Sequence, residues 1–194
     1  MARITTPPEH RFPWYVRLFF WNQRRRYGAV LEPARLWGRS PSVFAALALL
    51  FGALDRRRSP LPAALRALLT VRVSQLNWCA FCVDINGARV LKLGVAEHKL
   101  ADLAAFRDNP RFDAREKAAL EYAEAVTLSD RRPDDRLFAT LHEQFDDQAI
   151  IELTALIAFQ NMSSKFNAAL DVAPQGFCRI APEAPPRTPG QPAE

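Results

Sequence analysis

Apolar residues recur along this chain at steps of three and four, the spacing that lines one face of a helix. In LPAALRALLTVRVSQLN, residues 61–77, the positions Leu65, Leu68, Leu69, Val73 and Leu76 share a face. DDQAIIELTALIAFQNMSSKFNAAL, residues 146–170, repeats the pattern with Ile150, Leu153, Ile157 and Phe166. Proline, glycine and capping residues punctuate such runs. FPWYVRLFFWNQRRRYG, 12–28, stops at Gly28 after three arginines, where cations suit a helix C-terminus. Ser40-Pro41 opens a second helix that LFGALDRRRS closes, and Ser59-Pro60-Leu61-Pro62 breaks the chain before the next. After an interruption at Asn77-Trp78, a helix runs from Cys79 to Leu93, with Gly94 as its left-handed cap. AEHKLADLAAF gives a short helix, and Asp113 with Glu116 makes a capping-box-like start for one reaching about Leu128. A further helix at about 134–144 precedes the long last one, capped by Asp146 or Asp147. No strand alternation survives anywhere, so the pattern predicts an all-α protein.

With 194 residues, 49% hydrophobic and 24% charged, the composition is that of a soluble globular chain with a single core. The longest apolar run, SVFAALALLFGAL at 42–54, has 13 residues against the roughly 20 that span a bilayer, and reads as a buried helix. MARITTPPEHRF carries no apolar export signal, which points to the cytoplasm. The organisation expected is an aromatic and basic N-terminal helix over 1–29, a helical domain over 30–172, and a Pro-rich segment over 173–194. That segment holds six prolines and is expected to be disordered after about 181.

The formal charge of +5 is unevenly placed, since residues 1–60 hold 11 Arg against 3 acids. The runs Arg24-Arg25-Arg26 and Arg56-Arg57-Arg58 lack the interleaved aromatics of a nucleic-acid surface and read as solvated helix ends. Trp14, Phe19, Phe20 and Trp21 beside the first run suit an interfacial membrane helix. They suit a subunit interface better, because aromatics and Arg are enriched there.

Candidate chemistry centres on Cys79 and Cys82, two of only three cysteines. Three apart on a helix, they lie on one face within reach of a disulfide. In a first helical turn, free backbone N–H groups and the helix dipole favour thiolate over thiol. Lowering a thiol pKa from about 8.5 to about 7 raises the anionic fraction at neutrality from a few per cent to about half. Two buried, unreactive cysteines are the alternative. A metal site is disfavoured, because Cys178, His10, His98 and His142 are scattered and none stands at metal spacing from another.

LPAALRALLTVRVSQLNWCAFCVDIN, then REKAALEYAEAVT, then DDQAIIELTALIAFQNMSSKFNAAL resemble the carboxymuconolactone decarboxylase-like family, which includes the AhpD-type alkylhydroperoxidases. The resemblance spans about residues 30–178, with RVSQLN-x-C-x-x-C as its most specific signature, and CxxC followed by DIN marks a subgroup of the family. It implies an all-helical fold that forms homo-oligomers, trimers or hexamers, and no cofactor. It also implies a hydroperoxide substrate and a thiol- or lipoyl-bearing electron donor protein. Cys82 would attack the peroxide to give a sulfenic acid, and Cys79 would resolve it to a disulfide.

The carry-over stops at the cysteines. Where the AhpD-type enzymes place the Glu and the two His of a proton relay, this chain has Ala67, Asn86 and Phe81. Asn86, four residues past Cys82, lies on its face and can hydrogen-bond, but it cannot take a proton; Asp84, two past, points away. Glu121 and Glu124, on a different helix, could approach the pair, but are expected rather as exposed partners of Arg115 or Arg131, and Gln75 as structural. Without a general base, normally worth 10²- to 10⁴-fold, the chain should be a slow peroxidase. The family's name raises a non-redox lyase as an alternative, for which the sequence offers no compact His/Glu/Arg group. A non-catalytic oligomeric binding protein is the other.

Overall fold

Residues 2–180 are described by a computed structural model, and among them the chain is helical with no strand. The helices are α1 (Trp14–Tyr27), α2 (Glu32–Gly38), α3 (Pro41–Leu54), α4 (Ala63–Leu76), α5 (Ala80–Lys92), α6 (Glu97–Ala101), α7 (Ala114–Thr127), α8 (Asp135–His142) and α9 (Asp147–Ala169). The tail expected to be disordered, from 181 on, lies outside the described residues.

The stop and start signals act through the expected bonds. Gly28 takes φ 77°, and its N–H closes α1 on the Arg24 carbonyl; Gly94, at φ 82°, follows α5. At α7, Asp113 fills the position usual for Ser or Thr. Its carboxylate accepts the Glu116 N–H at 2.8 Å, while Glu116 accepts the Asp113 N–H at 3.0 Å. Such a cap stabilises a helix by about 1 kcal/mol. Asp146, not Asp147, caps α9 by accepting the Ala149 N–H at 2.8 Å. Ser40 precedes α3 without a side-chain capping bond. The 7-residue α2 was not expected, being too short to display a helical period.

The described residues divide into two compact units at the proline break, those up to Ser59 with Ala169–Ala173 in one and the others in the second. The sequence had placed its first boundary near residue 29 instead. In the first unit, Phe12, Val16, Phe20, Val30, Ala34 and Phe44 form the core, with Phe19 set edge-on to Phe44 at 5.0 Å. Of the four aromatics noted in α1, Phe20 is therefore buried, whereas Trp14 and Trp21 are exposed. Arg25 and Arg26 lie over the rings of Trp21 and Tyr27, and Arg24 pairs with Glu9.

The expectation of a buried helix at 42–54 is corrected. Only Phe44 and Leu54 of α3 are buried, and Leu49 is 77% exposed, with Val43, Leu50 and Phe51 also exposed. An apolar helix turns outward here because its partners within the unit cover one side alone.

In the second unit α4 packs against both α5 and α7 and is buried almost all round. Leu68, Leu69, Leu120, Leu153 and Ile157 form the centre of this core, each contributing about 1.5–3 kcal/mol by leaving water. A helix enclosed on every side must also bury its polar residues, and Arg72, Ser74 and Gln75 accordingly need internal partners.

Candidate functional site

The chain turns from α4 into α5 through a corner of three residues, Asn77, Trp78 and Cys79. Trp78 takes φ 55° there, a left-handed conformation that costs a bulky residue roughly 1–2 kcal/mol. Backbone bonds offset it, with the Trp78 N–H on the Gln75 carbonyl at 3.1 Å and the Cys79 N–H on the Ser74 carbonyl at 3.0 Å. Side chains pin the same corner to α9. Asn77 donates to Asn161 and Ser164 at 2.8 and 2.9 Å, and Gln160 donates to Ser74 at 2.8 Å. Asn161 in turn donates to Thr127 of α7.

This corner fixes where α5 begins. Cys79 is its N-cap, and the Cys79 sulfur accepts the Cys82 backbone N–H at 3.2 Å, in the role a Ser or Asp side chain usually fills. The expected interruption at Asn77-Trp78 thus places both cysteines in the first turn. Their Cα atoms lie 5.2 Å apart and their sulfurs are joined in a disulfide. Both residues are almost fully enclosed, at 2% and 3% exposure, while Trp78 and Ala80 beside them face solvent. Burial of this degree belongs equally to the inert alternative.

The side chain that reaches Cys82 is not Asn86. Asn167, near the end of α9, donates its amide N–H to the Cys82 sulfur at 3.2 Å. Asn167 is 2% exposed, and its amide oxygen has no hydrogen-bond partner. Phe166, whose spacing predicts a place on the apolar face of α9, is half-buried, and Asn167 beside it is the enclosed residue. A signal was present: Gln160, Ser164 and Asn167 continue the Leu153–Ile157 stripe at steps of three and four, so the buried face turns polar in its last turns.

Neither of the relay positions buried here carries a proton acceptor, since Ala67 and Phe81 are packed into the interior. Glu124 departs from expectation, being 2% exposed rather than on the surface. Arg131 does pair with it at 3.2 Å, but so do Arg107 at 2.5 Å and the buried Arg72 at 2.6 Å. Arg72 also donates to Gln75, giving that glutamine the structural role expected of it. Three guanidiniums occupy the Glu124 carboxylate, and none of its bonds goes to a sulfur. Arg115 lies over the Phe145 ring instead of pairing with a glutamate, and Glu121 is exposed.

Asp84 does point away from the pair, and its carboxylate holds the segment after α9. It accepts the backbone N–H groups of Gln175 at 2.8 Å and Cys178 at 2.6 Å. Cys178 sits against Gly87, where an added Cβ would stand 3.0 Å from its sulfur, and its S–H donates to the Ile180 carbonyl. Burial, then the negative charges of Asp84 and Glu97, push the Cys178 thiol up. Among the described residues no three His, Cys, Asp or Glu side chains come together.

Comparison with known proteins identifies the family and the fold. Residues 41–125 match the model of the carboxymuconolactone decarboxylase family. The chain is 44% identical over 174 residues to the uncharacterized protein YnjA of Escherichia coli (strain K12), covering 90% of this chain and 96% of that one. It is 31% identical over 115 residues to the uncharacterized protein YdfG of Bacillus subtilis (strain 168), covering 59% and 78%. Among solved structures, a peroxidase-related protein from Ralstonia eutropha JMP134, described as an alkylhydroperoxidase AhpD core, has the same fold. Its TM-score is 0.83 at 20% identity, covering 94% of this chain and 97% of that one.

Proposed function

This chain belongs to the carboxymuconolactone decarboxylase family, and from that premise we propose that it is a thiol-dependent oxidoreductase of the alkylhydroperoxidase type, working through Cys79 and Cys82. The observation that carries the reading is the placement of both sulfurs in the first turn of α5, bonded to each other and each facing an N–H donor. Backbone and amide N–H groups stabilise negative charge on sulfur, which is the form that attacks.

In the cycle, the Cys82 thiolate attacks the outer oxygen of a hydroperoxide. The O–O bond breaks, the alcohol leaves with a proton from water, and Cys82 becomes a sulfenic acid. The Cys79 thiol then displaces water to form the disulfide. A dithiol on a thiol- or lipoyl-bearing partner protein returns two electrons by exchange and is itself oxidised to a disulfide. Two features make the enzyme slow. Among the described residues no side chain near the sulfurs is free to act as a base, and both sulfurs are enclosed, so substrate reaches them through local opening.

The exposed apolar face of α3 supports assembly into homo-oligomers, trimers or hexamers, by packing against copies of this chain. Among the described residues no helix is long and apolar enough to cross a membrane, and a reducing cytoplasm would keep the pair supplied with electrons. Stopped-flow mixing of reduced protein with an organic hydroperoxide tests the activity. Consumption by the wild type that is abolished in Cys82→Ser and stalled at the sulfenic acid in Cys79→Ser is expected. Equal rates in all three would remove the assignment.

A further inference from the structure

We propose that Asn167 activates Cys82 in a site without a proton relay, holding the Cys82 thiolate with its amide N–H and receiving the hydroxyl of the nascent sulfenic acid on its amide oxygen. The proposal rests on the thiol-redox reading above and deepens it at one residue.

A disulfide sulfur is a weak acceptor, and a buried amide oxygen without a partner is unfavourable, so the oxidised state leaves Asn167 poorly satisfied. Both deficits are relieved along the cycle. When the disulfide is reduced, the same N–H faces a thiolate, and a hydrogen bond to an ionised acceptor is about twice as strong as a neutral one. When Cys82 carries oxygen, its O–H becomes a donor close to the amide that bears the empty oxygen. No proton changes hands, because an amide neither takes nor gives one at neutral pH. Asn167 therefore lowers the thiol's affinity for its proton without acting as a base.

Position supports the assignment. Gln160 and Ser164, on the same stripe of α9, bond to groups of the α4–α5 corner, so Asn167 is aimed at Cys82 from a helix already anchored there. The sequence separation of 85 residues makes the contact a product of the fold rather than of local geometry.

The test is the pH dependence of iodoacetamide alkylation of Cys82 in the reduced full chain, read by peptide mass spectrometry. Asn167→Ala removes the donor, and Asn167→Asp keeps the shape but sets a negative charge beside the sulfur. The expected result is a midpoint shifted to higher pH, with the rate at pH 7 falling on the order of tenfold in the first variant and further in the second. Unchanged midpoints in folded variants would overturn the proposal. Should the variants fail to fold, the wild type decides: its Asn167 side-chain amide resonances must titrate with the Cys82 midpoint, and resonances indifferent to that titration overturn the proposal equally. Alkylation does not depend on peroxide turnover. Failure to consume hydroperoxide with a shifted midpoint would sink the peroxidase reading and leave Asn167's hold on the Cys82 thiolate standing; the converse would do the opposite.

Discussion

Asn167 on α9 and Cys82 on α5 meet through an amide N–H placed 3.2 Å from the sulfur. The contact closes a polar seam that begins at Thr127, passes through Asn161, Asn77 and Ser164, and reaches the corner that starts α5. The placement of the two sulfurs thus depends on α4, α7 and α9 together. A helix cap made from a cysteine is held by a network drawn from three other helices.

Glu124 separates a structural carboxylate from a catalytic one. Glu124→Gln leaves the buried Arg72 without its anion, and breaking such a pair costs about 3–5 kcal/mol. Chemical denaturation should therefore show a large loss of stability. Hydroperoxide consumption per folded molecule, measured in the same preparation, should stay within about twofold of wild type, because general-base loss would instead remove 10²-fold or more.

Asp84 ties the 175–178 segment to α5, so its removal should expose Cys178. Asp84→Ala removes the acceptor of two backbone N–H bonds, a loss of about 1 kcal/mol for each. Cys178 should then react with iodoacetamide at neutral pH markedly faster than in the wild type, where burial pushes its thiol up. Time-resolved labelling followed by mass spectrometry checks both the site and the rate.

Glu9 gives the first unit a dependence on acid. Its hydrogen bond from Arg24, joined by the charges of Arg24 and Arg35, holds the carboxyl below its ordinary 4.5 in spite of partial burial. A group with a depressed folded pKa adds stability above its unfolded value and loses it as pH falls through the folded one. Melting curves of wild type and Glu9→Gln should differ at pH 7, by no more than about 1 kcal/mol for so exposed a pair, and converge as the pH falls below 4.5 through the depressed folded pKa of the carboxyl.

What the sequence made legible follows the range of the forces involved. Capping and turn signals are local, and Gly28, Gly94, the Asp113–Glu116 box and the interruption before Cys79 all appear where the residues place them. Burial is not local. The apolar α3 looked like core and faces outward, whereas Glu124 looked like surface and is enclosed by guanidiniums drawn from α4 and the segments flanking α7. Asn86 had the right spacing to reach Cys82, yet the amide that does so stands 85 residues away. Helical periodicity reports which positions share a face, and cannot report which distant face they meet.

The central claim is that Cys79 and Cys82 pass two electrons to a peroxide, and it reduces to a single stoichiometry. Fully reduced protein, freed of excess thiol, is mixed with one equivalent of cumene hydroperoxide and quenched with acid at intervals. Intact-mass and peptide analysis should find one Cys79–Cys82 disulfide formed for each cumyl alcohol released, with Cys178 still a thiol. Peroxide left intact over hours, or consumed with the two thiols unchanged, would contradict it.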